Sequence, residues 1–517
     1  MPPSARMEQS EDQYLPPQTQ KLKQQVNHIV VLMLENRSFD NLLGWLYHDQ
    51  KPARGQSFAG LQANLWNPLD NYDADGHPFS EKVVIRKNGK PFKIGGRNLP
   101  AKEVDFTLPS PDPGEGYADT NYQLYGTYDV NSLYPPEPTG QGFVNNYKNA
   151  MLYGTYAFHS PPSDPREIMT AYTPDQTPVL STLALEYAVC DQWFASIPSQ
   201  TLPNRSFVHA ATSCGQVNNR PTTQYPCRTI FNQIQDAHDQ GQKDLSWKVY
   251  SGIHKDKKLQ KWTPFSLTRL CMTEIQDPKF DANFCQMNEF YQDAKAGNLP
   301  SYSFIEPQFS GPNQNDQHPP IDIRPGEQLM ADIYNAIKHS PNFNETLFII
   351  TYDEHGGCYD HLVPTGWAHP PEEDAPAGQM GFRFNRFGVR VPTVVISPLI
   401  EKGTIARPKG WVPYDHTSFI KTVQVCFDLE HLGPLTNRDR HAPDLSGLLT
   451  LDHPRRVAPD VAPLSFPPAQ RELVNDLHHL AADILAGKLK IQKPEEQELH
   501  GFIEQAYREA FGSKAKE

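Results

Sequence analysis

The chain has 517 residues, with 60 Asp+Glu against 47 Lys+Arg and a formal net charge of −13. Apolar residues make up 38% of it, enough for a sizeable core, which excludes wholesale disorder, and the acidic balance excludes a nucleic-acid binder that neutralises phosphates with Lys and Arg. Pro, 49 of 517 and spread along the chain, is nearly twice the usual ~5% and implies many fixed loops, as in an enzyme with a built-up site.

Residues 1–25 read as a polar extension. Neither a signal peptide nor a run near the ~20 apolar residues of a membrane span is visible there, which implies a cytoplasmic protein or one exported by a non-classical route. His28–Leu34 is near-continuously apolar, the pattern of a strand buried on both faces of a parallel sheet. Its carboxyl end delivers Glu35, Asn36, Arg37, Ser38, Phe39 and Asp40. Residues 50–135 carry many Pro, Gly and Asn and form a loop-rich insertion. Over residues 175–189, Leu180, Leu183, Ala184 and Tyr187 fall on one helical face. Residues 194–201 are a loop, and a helix opens at Leu202-Pro203-Asn204-Arg205 with Thr201 as its N-cap.

Further strands are expected at residues 247–250 and 302–305, and an amphipathic helix at 325–340 with Leu329, Ile333 and Ile337 in step. The helix feeds a second buried strand, Thr346–Tyr352, which ends at Asp353, Glu354, His355, Gly356 and Gly357. A third strand is expected at 391–397, ended by Pro398. A Pro-rich stretch at 454–468 precedes two amphipathic helices, the first carrying Leu473, Leu477, Leu480 and Ile484. Such helices pack on the core by default, or touch a membrane face. The alternation indicates an α/β protein with a mainly parallel sheet, divided into an extension (1–25), a catalytic domain (26–450) and a C-terminal helical region (451–517). Seven cysteines, at 190, 214, 227, 271, 285, 358 and 426, form no CxxC pair and read mostly as reduced core thiols. Cys227, Cys271 and Cys285 are the best disulfide candidates if the protein is exported.

Two buried strands thus end in adjacent oxygen-bearing side chains, Glu35-Asn36 and Asp353-Glu354. In open α/β sheets the functional crevice lies at the carboxyl ends of the strands. If the two strands are neighbours, three carboxylates and an amide converge, and they repel one another unless a cation sits among them. Oxygen ligands suit a hard divalent ion. Thr201, a hydroxyl at a helix N-terminus, stands where the free N–H groups attract a phosphate. His318 lies in a polar loop outside any apolar face. His355, His361 and His416 are open to either a structural or a functional role.

Four segments, Glu35-Asn-Arg-Ser-Phe-Asp40, Ser199-Gln-Thr-Leu-Pro-Asn-Arg205, Asn315-Asp-Gln-His-Pro319 and Tyr352-Asp-Glu-His-Gly-Gly357 with Tyr359-Asp-His361, occur in this order. With Arg390-Val-Pro-Thr393, Tyr414-Asp-His-Thr-Ser418 and Leu435-Thr-Asn-Arg438 they resemble the bacterial and plant phosphoesterases over most of residues 26–450. That family holds the non-specific and phosphatidylcholine-hydrolysing phospholipases C and the Francisella-type acid phosphatase. The resemblance implies an alkaline-phosphatase-like α/β core and one divalent metal ion, with Ca²⁺ favoured over Mg²⁺, Mn²⁺ or Zn²⁺. Its ligands would be Glu35, Asn36, Thr201, Asp353 and Glu354. Thr201 would be the nucleophile and His318 would bind the phosphoryl group or protonate the leaving alcohol. Asn204, Arg205, Glu115 and His355 would contact substrate.

The pattern departs from the family at two points: Asp112-Pro-Gly-Glu115 stands where Asp-Pro-Gly-His is usual, and Ile321 replaces a second histidine. Glu115 would either repel a phosphoryl group or pair with a choline-like cation or a second metal. The implied activity is phospholipase C cleavage of phosphatidylcholine or a related lipid, with peripheral membrane contact. The alternatives are a broad-specificity acid phosphatase and a binding homologue that has lost turnover. The sequence leaves the oligomeric state open.

Overall fold

A computed structural model describes residues 16–466 apart from 74, 91, 95–96, 100–102, 154–163, 220–223, 257–260, 310–312 and 365–366. Eight strands form the central sheet: β1 (His28–Leu34), β2 (Ala188–Val189), β3 (Trp247–Ser251), β4 (Phe284–Gln286), β5 (Tyr302–Ile305), β6 (Thr346–Tyr352), β7 (Val394–Ile396) and β8 (Thr404–Ile405). Their order is β4-β3-β5-β1-β6-β7-β2-β8. The pairs from β4 through β6 run parallel, as does β2 with β8. Only β7 runs antiparallel to its two neighbours. The third strand expected at 391–397 is therefore shorter and reversed. The rest of that segment serves as connection, with Arg390 bridging to Phe194.

The long strands are buried on both faces because helices cover them. Leu329, Ile333 and Ile337 of helix Arg324–Lys338 and Leu180, Leu183 and Ala184 of helix Pro178–Glu186 join β1 and β6 in one core. The end of the polar N-terminal stretch is folded as well. Residues Pro17–Gln25 form a helix that buries Leu22, and Lys21 Nζ donates to the Leu451 carbonyl at 2.8 Å. Residues 50–135 include a hairpin, Trp66–Tyr72 with Pro78–Val84, and a helix, Tyr117–Tyr125. The helix expected around Leu473, Leu477, Leu480 and Ile484 lies outside the described residues. Among those described, no helix is long and apolar enough to cross a membrane.

Candidate active site

Strands β1 and β6 are adjacent, and their register pairs Leu34 with Tyr352. The residues that follow each strand therefore leave the sheet side by side. Asp353 N donates to the Leu34 carbonyl at 3.2 Å, and Asn36 N donates to Asp353 Oδ1 at 3.0 Å. Asn36 adopts a left-handed backbone, φ 55°, which turns the chain sharply at the strand end. Gly356, φ 59°, packs so closely that a Cβ there would run into the Asn36 carbonyl oxygen. Its N–H donates to Glu354 Oε2 at 2.8 Å.

Thr201 meets this corner from a third element. Its hydroxyl lies 3.3 Å from Glu35 Oε2 and 3.4 Å from Asn36 Oδ1. Thr201 is not the N-cap but the first residue of helix Thr201–Ala210, whose cap position, Gln200, makes no side-chain cap bond. The cap comes from outside: Asn219 Oδ1 accepts from Leu202 N at 2.7 Å, and Asn219 N donates to Gln200 Oε1 at 2.9 Å. Ser199 Oγ also donates to the Val217 carbonyl. All these braces lie in a loop closed by a Cys214–Cys227 disulfide. Of the expected disulfide candidates only Cys227 is paired; Cys271 and Cys285 are buried free thiols. Chain spacing does not show that Cys214 is the residue facing Cys227.

Three expected substrate contacts have other partners. Arg205 is buried and grips Glu35, with Nε 2.9 Å from Oε1 and Nη2 on the same oxygen, while Nη2 also donates to the Met33 carbonyl at 3.1 Å. Asn204 Nδ2 donates to the Ser199 carbonyl at 2.8 Å and Asn204 Oδ1 accepts from Ile197 N at 3.1 Å, so it fixes the Thr201 turn. His355 is buried against Gln123 Oε1 at 2.7 Å, and burial pushes its pKa down to about 3. Each of these side chains supports the corner from within, while Arg205 Nη1 makes no hydrogen bond among the described residues.

Glu115 and His318 do reach the corner, and both meet it through Asn36. Asn36 Nδ2 lies 2.5 Å from Glu115 Oε2 and 2.9 Å from His318 Nε2. His318 Nδ1 is 2.7 Å from the Pro319 carbonyl, which can only accept, so Nδ1 carries the proton and Nε2 accepts from Asn36. Asp112 completes this side, 3.7 Å from His318 Nδ1. The sequence left two other histidines open, and both are engaged. His416 Nε2 lies 2.6 Å from the Asp353 carbonyl, and His361 Nδ1 lies 2.6 Å from Asp40 Oδ2. Asp40 and Asp360 are in turn bound by Arg390 at 3.0 and 2.9 Å.

The charge balance of the corner is unfavourable for the protein alone. Glu35, Asp353 and Glu354 are buried, and burial pushes the carboxyls of Glu35 and Glu354 well above the usual range, with Asp353 adding repulsion to each. Burial also disfavours the Arg205 charge, but Glu35, Asp353 and Glu306 outweigh that and hold it above its ordinary value. The carboxylates outnumber this guanidinium, an excess of negative charge that a divalent cation would offset. Among the described residues, the buried oxygens Asp353 Oδ2 and Glu354 Oε1 accept no hydrogen bond, and Arg205 Nε lies 3.6 Å from the former. On the Thr201 side, Glu35 Oε2 and Asn36 Oδ1 are further oxygens of the kind hard cations take. The donor types suit such an ion; among the described residues, the acidic and histidine side chains already close enough to share one are Asp112 with Glu115 and His318, Asp40 with Asp360 and His361, and Asp73 with Asp75 and His77.

Comparison with known proteins agrees with the sequence motifs. The family model described as the Phosphoesterase family matches residues 26–430. Non-specific phospholipase C3 of Arabidopsis thaliana is 34% identical over 452 residues, spanning 85% of this chain and 76% of that protein. Phospholipase C B of Mycobacterium tuberculosis is 25% identical over 485 residues, spanning 86% and 83%. Among solved structures, a protein in the alkaline phosphatase superfamily from Vibrio parahaemolyticus overlies 52% of this chain and 65% of its own, at 12% identity and a TM-score of 0.29.

Proposed function

The chain belongs to the Phosphoesterase family and is a hydrolase acting on phosphoric esters, and from that premise we propose that it cleaves phospholipids such as phosphatidylcholine as a phospholipase C, by way of a phosphothreonine at Thr201. The observation that carries this reading is the Thr201 hydroxyl 3.3 Å from Glu35 and 3.4 Å from Asn36, at the start of a helix whose dipole favours a phosphate. The phospholipase C names of the relatives support the lipid substrate. A lipid substrate brings peripheral contact with a membrane surface.

Glu35, Asn36, Thr201, Asp353 and Glu354 would hold one divalent ion, Ca²⁺ being favoured over Mg²⁺, Mn²⁺ or Zn²⁺. Such an ion, when bound, lowers the pKa of a ligated hydroxyl and polarises a phosphoryl oxygen. Thr201 Oγ1 attacks phosphorus in line, the bond from phosphorus to the glycerol oxygen breaks, and the hydroxyl proton ends on the departing diacylglycerol. Water then cleaves the phosphothreonine, restoring the Thr201 hydroxyl and releasing the phosphorylated headgroup. The β-branched threonine occupies few rotamers, which fixes the attack angle. Asn204 and Asn219 hold the turn that carries it, and Arg205 keeps one Glu35 oxygen occupied while the other faces Thr201.

The test is turnover of p-nitrophenyl phosphorylcholine, p-nitrophenyl phosphate and phosphatidylcholine vesicles by the full chain and by Thr201→Ala, with and without chelator. We expect preference for the diesters, a loss of about 10³-fold or more in Thr201→Ala, and a chelator loss reversed by Ca²⁺ or Mn²⁺. Undiminished turnover by Thr201→Ala would overturn the nucleophile. A preference for the monoester would make the chain a phosphatase.

A further inference from the structure

The Glu115 carboxylate comes from the loop-rich insertion, far along the chain from the strands that build the corner. Its backbone is fixed where helix Tyr117–Tyr125 begins: Thr120 Oγ1 donates to the Glu115 carbonyl at 3.4 Å, and Gln123 Nε2 donates to the Gly114 carbonyl at 2.7 Å. From there the side chain meets Asn36 Nδ2 at 2.5 Å. Both amide hydrogens of Asn36 are thereby assigned, one to Glu115 and one to His318 Nε2 at 2.9 Å, which leaves Asn36 Oδ1 on the Thr201 side. Asn36 N is itself tied to Asp353 Oδ1 at 3.0 Å, so a flip of the terminal amide is the rearrangement that would exchange its donor and acceptor faces. A flipped amide would set its oxygen against the Glu115 carboxylate and the lone pair of His318. It would also turn an N–H₂ toward Thr201, where a cation needs oxygen.

We propose that Glu115 is a positioning residue: by accepting from Asn36 Nδ2 it locks the amide with Oδ1 toward Thr201, and so sets the affinity of the corner for its divalent ion. This rests on the metal reading above. It also assigns Glu115 a role other than repelling a phosphoryl group or pairing with a choline-like cation. What matters here is its capacity to accept, with its charge secondary.

Calorimetric titration of Ca²⁺, and separately of Mn²⁺, into metal-free full-length protein tests this directly. Glu115→Ala, and Glu115→Met as a variant of similar volume, should raise Kd about 10-fold or more, the usual effect of removing a group that orients a ligand. Glu115→Gln keeps an acceptor oxygen and should stay within about threefold of wild type, a rescue that a general packing role would not produce. Wild-type affinity in the Ala and Met variants would overturn the proposal, as would a Gln variant as weak as Ala. Loss of a cooperative thermal transition in both apolar variants would make Glu115 a folding residue and also overturn it. Failure of the wild type to bind either ion would remove the metal reading itself, and this inference with it.

Discussion

Arg205 and Glu35 form an ion pair sealed inside the protein, with Arg205 Nε 2.9 Å from Glu35 Oε1. The two oxygens of Glu35 therefore face different ways, one into the guanidinium and the other to the Thr201 hydroxyl. Removing the guanidinium strands a buried carboxylate, so Arg205→Met should lower unfolding stability by about 3 kcal/mol or more. Arg205→Lys restores charge but cannot contact Glu35 and the Met33 carbonyl from one planar fork, and it should recover stability only in part. Denaturant unfolding beside turnover of p-nitrophenyl phosphorylcholine checks both; Arg205→Lys with full activity would refute the positional role.

The Thr201 helix depends on a cap from another segment. Asn219→Ala removes the acceptor for Leu202 N and should cost about 1 kcal/mol, with a fall in turnover larger than the stability change explains. Replacing both Cys214 and Cys227 by Ser opens a loop of sequence separation 13 and should cost about 2–3 kcal/mol. Thermal melts and turnover with and without dithiothreitol are the measurement, and the double variant should be indifferent to reductant.

Gly356 has a positive φ of 59° and no room for a Cβ against the Asn36 carbonyl. Gly356→Ala must move either Asn36 or the Asp353-Glu354 turn. It should lose divalent-ion binding and activity together while keeping a cooperative thermal transition. Ion binding at wild-type strength would show that the corner tolerates the shift.

Glu327 gives a pH dependence unconnected with the reaction. Its carboxylate caps helix Pro178–Glu186, accepting from Val179 N at 2.6 Å and Leu180 N at 3.3 Å, yet burial pushes its pKa up from 4.5 to about 8. A folded pKa above the unfolded one means that the contribution is fully present below the unfolded value. It is lost as pH rises through about 8. Wild type should thus lose stability relative to Glu327→Gln between pH 5 and pH 8.5, at up to ~1.4 kcal/mol per unit. Parallel melting profiles for the two proteins across that range would refute this.

The corner was legible because its ligand candidates follow immediately after two strongly apolar runs, and a run buried on both faces states its place in a sheet without help from distant residues. Helices with regular apolar spacing, such as that carrying Leu329, Ile333 and Ile337, were readable for the same reason. What the sequence could not convey is which polar side chain answers which. Arg205 finds Glu35 across 170 residues and His355 finds Gln123 across 232, partners that no local pattern announces. The N-terminal stretch looked wholly polar because one fully buried leucine, Leu22, anchors its helix. The Cys214 pairing was hidden for lack of any local pattern, and the reversal of β7 because strand direction leaves no mark on three apolar residues.

The pairing of β1 with β6 also governs when the enzyme comes into being. Asn36 and Asp353 are separated by 317 residues, so a nascent chain emerging from the ribosome displays Thr201 long before Asp353 and Glu354 exist. Contacts of such separation form late and only with the sheet itself. Truncated products ending before residue 353 therefore carry the threonine without the Asp353-Glu354 half of the corner.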